Sequence, residues 1–178
     1  MAVRDDGLIL ERAIRIRSTP NRVLTAFFQP RDLAAWWEVS NAVTVPRPLA
    51  PYVVQWPPTH FSDEVLGRLG GTLHGTMMDY CEGTSFFLAD LYYTPPEGAP
   101  IGPMALEIQA RAIEDGRSTE LSIRQSAENA GARWQRYFTV MEEGWDRALE
   151  ALREHLEWSC VRPHREGTWA REKVKSEE

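Results

Sequence analysis

The sequence predicts an α+β fold: a curved antiparallel sheet of about six or seven strands wrapped around a long C-terminal helix, with two short helices after the first strand. Three observations lead to this prediction. Residues 133–158 have the apolar spacing of one long helix, residues 72–125 contain several alternating segments, and residues 20–37 contain two short helical segments separated by a proline. The apolar faces of the sheet and the long helix must be buried, and packing them against each other achieves this.

Length and composition are those of one globular domain. The chain has 178 residues, of which 43% are hydrophobic and 26% charged. We assign the domain to residues 8–158, between a flexible N-terminus at 1–7 and a polar, disordered tail at 159–178.

Charge and hydropathy exclude several partners. The net charge of -6 and the lack of a basic cluster before the tail argue against nucleic acid. No apolar run is long enough to cross a membrane, and the N-terminus lacks the apolar core of a signal peptide. We therefore expect a cytoplasmic protein that contacts neither nucleic acid nor membrane.

The first strand is predicted at residues 8–17, where apolar and polar residues alternate. Leu10, Ile14 and Ile16 share one face with Arg12. Arg12 is either a side chain that reaches out to solvent from a strand end or a polar group in a cavity.

Two short helices follow. Ser18 or Thr19 is expected to cap the first helix, with Pro20 at its first position. Pro30 ends this helix, and the second is predicted at 31–37.

The middle of the chain is rich in proline. Short strands are predicted at 43–45 and 52–56, and prolines at this density favour sheet edges or loops. Residues 61–69 are expected to form a helical turn or a loop.

An antiparallel meander then follows. Its strands are predicted at 72–80, 85–94, 104–112 and 118–125, with a proline-rich loop at 95–103 and an Asp115-Gly116 hairpin turn.

The long helix carries an apolar stripe with spacings of three and four residues, and its opposite face is charged. A helix of this size is roughly 37 Å long, so its stripe needs a large covering surface. The stripe consists of Phe138, Met141, Trp145, Ala148, Leu149, Leu152 and Leu156.

Polar chemistry is sparse. The two cysteines, Cys81 and Cys160, have no metal-binding or redox spacing, and we predict neither a metal nor another cofactor. No hydrolase, metalloprotease, phosphate-loop or dinucleotide motif is present. His74 and Asp90 are the weak catalytic candidates, because strand parity allows each to face a cavity and act as an acid or base. The alternative for His74 is a surface histidine.

Aromatic side chains give a stronger signal, because the chain contains seven tryptophans. Most are expected to fill the core, although core and ligand pocket share walls in a sheet wrapped around a helix. Parity at 72–80 is ambiguous, since Leu73 and Met77 compete with His74 and Met78 for the inner face. Our candidate ligand-binding residues are Trp37, Trp56, His74, Tyr92, Met141 and Trp145.

Four motifs carry a family resemblance over residues 8–158. They are Glu11-Arg12 with the segment at 18–23, the double tryptophan that ends 32–37, the glycine-containing strand at 71–79, and Gly144-Trp145 with the leucines that follow. Together they resemble the START/SRPBCC (Bet v 1-like helix-grip) superfamily, in the branch named after the Hsp90 ATPase activator homologue. The resemblance implies the fold and says little about activity.

The chain also departs from that family's pattern. Ser18-Thr19 replaces the usual alanine and proline, and the proline-rich stretches at 46–58 and 95–103 suggest a distinct subgroup. Nothing in the sequence could supply the second, N-terminal domain of the Hsp90 activator, so we do not expect a co-chaperone role from the resemblance.

Three functional hypotheses follow. The first is binding of a small hydrophobic ligand, such as a lipid, an aromatic or a polyketide-like molecule, between the sheet and the long helix. The second is a cyclase/dehydratase-like enzyme with a cavity acid or base. The third is a protein-interaction module, which predicts an exposed apolar patch.

Overall fold

A computed structural model describes the chain at residues 2–4 and 7–161, and its side chains at 7–158. Most of the predicted tail, residues 162–178, lies outside the described residues. The short strand at 2–4 pairs with the next strand, which begins at Gly7.

The described residues form ten strands, eight of them in one antiparallel sheet. The order across this sheet is β1-β2-β10-β9-β8-β7-β4-β3, and β5 pairs with β6 in a separate hairpin. The strands are β1 (Ala2–Arg4), β2 (Gly7–Ile16), β3 (Asn41–Thr44), β4 (Pro51–Trp56), β5 (Ser62–Asp63), β6 (Gly67–Arg68), β7 (Gly71–Cys81), β8 (Ser85–Thr94), β9 (Ile101–Ile113) and β10 (Ser118–Ala127).

The described residues also form three α-helices, α1 (Pro20–Thr25), α2 (Pro30–Trp37) and α3 (Ala132–Val161), and a 3-10 turn at Glu114–Gly116. The predicted start of α1 is confirmed, because the Thr19 hydroxyl accepts a hydrogen bond from the Arg22 backbone N–H. None of the helices in the described part of the chain is long and apolar enough to span a membrane.

The helices are joined by one polar cluster. Both terminal nitrogens of Arg22 donate to the Asp32 carboxylate at 2.8 Å, and His155 Nε2 lies 2.8 Å from the same group. Asp32 therefore connects α1, α2 and α3.

The core lies between the sheet and α3. Phe138, Trp145, Leu149, Leu152 and Leu156 are all buried, as the amphipathic stripe predicts. The opposite face of α3 stays exposed, so the helix contributes one side to the core and the other to solvent.

Arg12 lies on the inner side of β2 but reaches the polar edge of α3. Its Nε donates to Asp146 Oδ1 at 2.6 Å, and a terminal nitrogen lies 3.5 Å from Glu142 Oε1. The side chain therefore reaches outward to the charged edge of α3, although Arg12 lies in the middle of β2 and not at the strand end that we predicted.

The region between β4 and β7 differs from the prediction. Residues 61–69 contain the hairpin β5–β6 instead of a helical turn. The Asp63 carboxylate accepts the backbone N–H groups of Val65 and Leu66 at 2.9 and 3.0 Å, which stabilises the tight turn.

Candidate functional site

A groove of about 290 Å³ lies between α3, the end of α2, strands β4, β7 and β8, and the segment that carries the β5–β6 hairpin. Its size is near the lower end of small-molecule sites. We call it the groove. Its walls are formed by Trp37, Glu38, Trp56, Pro57, Thr59, Phe61, Leu66, Leu69, Gly70, Leu73, Tyr93, Tyr137, Val140, Met141, Gly144, Trp145 and Arg147.

Three tryptophans form one wall. The ring of Trp37 lies 5.1 Å from Trp56, edge to face, and 5.1 Å from Trp145. It also stacks on Trp36 at 4.9 Å, and Trp56 Nε1 donates to the Trp37 carbonyl at 2.7 Å. These contacts hold the three rings of the wall in fixed positions.

Two tyrosines form a second part of the wall. Tyr93 and Tyr137 stack with ring centroids 5.3 Å apart. The Tyr93 hydroxyl donates to the Gly70 carbonyl at 2.6 Å. Burial raises the pKa of both phenols, so both stay neutral at physiological pH.

A buried glutamine lies behind this wall. Gln125 is 2% exposed, and its Oε1 accepts from Trp145 Nε1 at 3.1 Å. Its Nε2 lies 3.4 Å from the Tyr137 oxygen and 3.3 Å from the Met104 sulfur. The amide therefore links α3 to β9 and β10 and holds two of the groove's aromatic rings.

Gly144 leaves the helical side of the groove open. A Cβ atom at this position would meet only the Met141 methyl, at 4.0 Å. Glycine costs about 1 kcal/mol relative to alanine inside a helix, so its use in the middle of α3 makes room at a price in stability.

The β5–β6 hairpin is tied to α3. Arg136 Nε donates to Asp63 Oδ2 at 2.8 Å, and this bond lowers the pKa of the Asp63 carboxyl to about 2. Leu66 is buried against the core, whereas Phe61 on the same segment is 77% exposed. The segment therefore covers part of the groove and leaves one aromatic ring at its entrance.

Charge is confined to the entrance. Glu38 and Arg147 are the charged residues among those that line the groove, and both are exposed. Their opposite signs leave the entrance close to neutral, while the inner walls are apolar or aromatic.

Four of the six predicted ligand-binding residues come together here. Trp37, Trp56, Met141 and Trp145 line the groove. Their helical and strand positions were predictable because the apolar stripe of α3 and the double tryptophan of α2 point to the core.

His74 and Tyr92, the other two candidates, lie outside the groove. The two rings stack on each other at 5.5 Å, His74 is exposed, and their strand neighbours Leu73 and Tyr93 face the groove instead. Successive residues of a strand point to opposite faces, so a shift of one residue along β7 and β8 exchanges the side chains that face the groove with those that face away from it.

Asp90 is also outside the groove. It is exposed with a positive φ of 48° in β8. The register of β8 shifts here against both neighbours, between Leu88 and Leu91 in the pairing with β9 and between Ala89 and Tyr92 in the pairing with β7. This bulge inserts one residue, so the buried positions change from Phe86 and Leu88 to Leu91 and Tyr93.

Tyr137 is a groove residue that the sequence analysis missed. It lies four residues before Met141 and eight before Trp145, and so belongs to the same stripe. Counting back from Met141 by four residues would have found it.

Two other concavities are larger, about 440 and 650 Å³. The first lies on the solvent face of β2, β9 and β10, and the second lies where these strands meet the start of α3. Neither has more than one aromatic side chain among its lining residues.

Among the residues that the structure describes, no three histidine, cysteine, aspartate or glutamate side chains cluster as metal ligands would.

A curved antiparallel sheet closed by a long C-terminal helix, with a groove between them, defines a helix-grip protein. No protein-family model matches the chain, and no curated protein matches it either. The comparison with solved structures does find matches, and it confirms the predicted fold.

Three of these structures illustrate the match. Ms6760 from Mycobacterium smegmatis superposes with a TM-score of 0.67 at 16% identity, over 86% of this chain and 94% of that one. MLL2253 from Mesorhizobium loti gives 0.63 at 15% identity, over 85% and 98%. The Aha1 dimer from Colwellia psychrerythraea gives 0.59 at 10% identity, over 84% and 96%. These matches show the fold, and an Aha1 structure is among the neighbours.

Proposed function

We propose that the protein binds a small, largely apolar ligand in the groove. The observation that carries this proposal is the wall of three tryptophans and two stacked tyrosines around an open volume of about 290 Å³. The indole N–H groups of Trp56 and Trp145 are bonded within the protein, so these rings offer the ligand apolar surface.

The volume restricts the ligand to a small molecule. About 290 Å³ corresponds to roughly ten water molecules at liquid density. A two-ring aromatic or a short branched chain fits this space, whereas a long acyl chain would extend past the entrance.

Native mass spectrometry of the protein as purified, compared with its denatured mass, tests the proposal. An added mass that leaves on denaturation supports it and identifies the ligand. A bare protein that also fails to take up 2-isopropylnaphthalene in equilibrium dialysis contradicts it.

The enzyme hypothesis has neither of its two candidate acid or base residues in the groove, because His74 and Asp90 both lie on the solvent side of the sheet.

The protein-interaction hypothesis stays a prediction. Val43 and Leu49, at or beside the β3 edge, are 55% and 79% exposed, and no contact of the described residues selects a partner for them.

A further inference from the structure

The Trp145 indole determines the direction of the hydrogen bonds that Gln125 makes behind the groove. The indole of Trp145 can only donate, so the Gln125 atom that lies 3.1 Å from Trp145 Nε1 must be the amide oxygen. The amide nitrogen then faces the Tyr137 oxygen at 3.4 Å and donates to it.

This order leaves the Tyr137 proton without an internal acceptor. Tyr137 accepts from Gln125, and its oxygen makes no other hydrogen bond with the residues that the structure describes. The neighbouring Tyr93 is different, because its proton goes to the Gly70 carbonyl at 2.6 Å.

Burial makes an unused donor costly. Tyr137 is 1% exposed, and burial raises the pKa of its phenol, so the proton is retained. A buried hydroxyl donor without an acceptor is destabilising unless a bound molecule accepts from it. Tyr137 lines the groove, so a molecule bound there that accepted a hydrogen bond from this hydroxyl would remove the cost.

We propose that Tyr137 contacts the ligand by donating a hydrogen bond to an uncharged acceptor oxygen, such as the carbonyl of an aryl ketone or ester. This inference rests on the proposed function and narrows it to apolar ligands with one acceptor oxygen. The acceptor is uncharged because the inner walls hold no cation, and a buried anion would lack a partner.

The test compares two probes of nearly equal shape. 2-Acetylnaphthalene carries a carbonyl oxygen where 2-isopropylnaphthalene carries a methyl group. Equilibrium dialysis measures the dissociation constant of each probe for the wild type, Tyr137→Phe and Tyr93→Phe. Tyr93→Phe is the matched control, because it removes a hydroxyl from the same stacked pair whose proton is already used.

We expect the wild type to prefer the ketone by about three- to tenfold, the effect of one net hydrogen bond. Tyr137→Phe should abolish the preference while its affinity for the hydrocarbon changes less than about twofold. Tyr93→Phe should keep the preference.

The two probes separate the role of Tyr137 from binding in the groove. Equal binding of both probes by the wild type, or a preference that survives in Tyr137→Phe, overturns the role of Tyr137 and leaves groove binding intact. Binding of neither probe overturns the proposed function and this inference with it.

A second measurement covers the case in which Tyr137→Phe does not fold. In the wild type labelled with 13Cζ-tyrosine, the Tyr137 resonance should shift with 2-acetylnaphthalene more than with 2-isopropylnaphthalene. Equal shifts contradict the proposal.

Discussion

The Asp63 carboxylate holds the β5–β6 hairpin in place. It accepts hydrogen bonds from the backbone of its own turn and from Arg136 on α3. Because Arg136 lowers the pKa of Asp63 in the folded protein, the ion pair stabilises the closed hairpin at pH values above the unfolded pKa near 4. This stabilisation is lost as the pH falls through about 2.

A carbon-13 NMR titration of the aspartate side chains checks this. We expect Asp63 to titrate near 2 and Arg136→Ala to move its midpoint up toward about 4. Arg133→Ala is the control on the same helix, since Arg133 donates to the carbonyls of Ala99 and Pro100 and not to Asp63. An Asp63 midpoint that ignores Arg136→Ala would refute the assignment.

Leu73 and His74 are adjacent on β7 and point to opposite faces. Leu73 is buried and lines the groove, whereas His74 is exposed. We therefore expect Leu73→Ala to weaken the binding of 2-isopropylnaphthalene and His74→Ala to change it less than about twofold. Equilibrium dialysis measures both, with circular dichroism to check that each variant folds, and a loss of binding in His74→Ala would contradict the geometry.

The two residues also show where prediction from the sequence stops. Between residues 72 and 80 both faces of the strand carry apolar side chains, among them Leu73 and Met77 on one face and Met78 on the other. Because side chains alternate between the two faces of a strand, the sequence then fits two arrangements equally well, and either set of side chains could face inward. At Asp90 the cause is different, because a bulge adds a residue that no alternating pattern reveals.

At the scale of elements, α3 is stabilised by burial of its stripe. Leu152 is fully buried, whereas Glu154 two positions along is exposed. Removing three carbon atoms from a packed core costs about 2–5 kcal/mol for Leu→Ala.

Chemical denaturation should therefore show Leu152→Ala lowering the free energy of unfolding by about 2–5 kcal/mol. Glu154→Ala should change it by less than about 0.5 kcal/mol. Similar losses in the two variants would mean that α3 depends on its surface and not on its stripe.

The start of α1 was predictable because Thr19 and Pro20 give a local signal. Pro30 was predicted to end the first helix, whereas α1 already ends at Thr25 and Pro30 is the first residue of α2. The β5–β6 hairpin has no such signal, since its strands are two residues long and mostly polar. β9 starts at Ile101 inside the predicted proline loop, and the strand tolerates Pro103 where its register with β8 shifts.

At the scale of the whole molecule, the groove exists because sheet and helix are only partly in contact. The stripe of α3 is buried at Phe138, Trp145 and Leu156 but only half-buried at Met141, and Gly144 withholds a side chain from its middle. Alanine at this position would add helical stability, so stability alone does not account for the glycine, and the open volume agrees with the proposed binding of a ligand.

A larger side chain at position 144 should block ligand binding while the protein still folds. Gly144→Leu extends a side chain into space where even a Cβ atom meets only the Met141 methyl. The variant should fold, gain up to about 1 kcal/mol from the loss of a helical glycine, and exclude the ligand. Gly144→Ala is the matched control, because it brings the same helical gain but adds only one methyl group.

Thermal unfolding with and without 2-acetylnaphthalene measures the effect. At a ligand concentration of 100 times the dissociation constant, the wild type and Gly144→Ala should gain about 2.7 kcal/mol, or roughly 5–10 °C in Tm. Gly144→Leu should show almost no shift, because a ligand stabilises a fold only through a site that it can enter. An undiminished shift in Gly144→Leu would place the ligand elsewhere, and an equal loss in Gly144→Ala would trace the effect to the helix backbone and not to the volume of the groove.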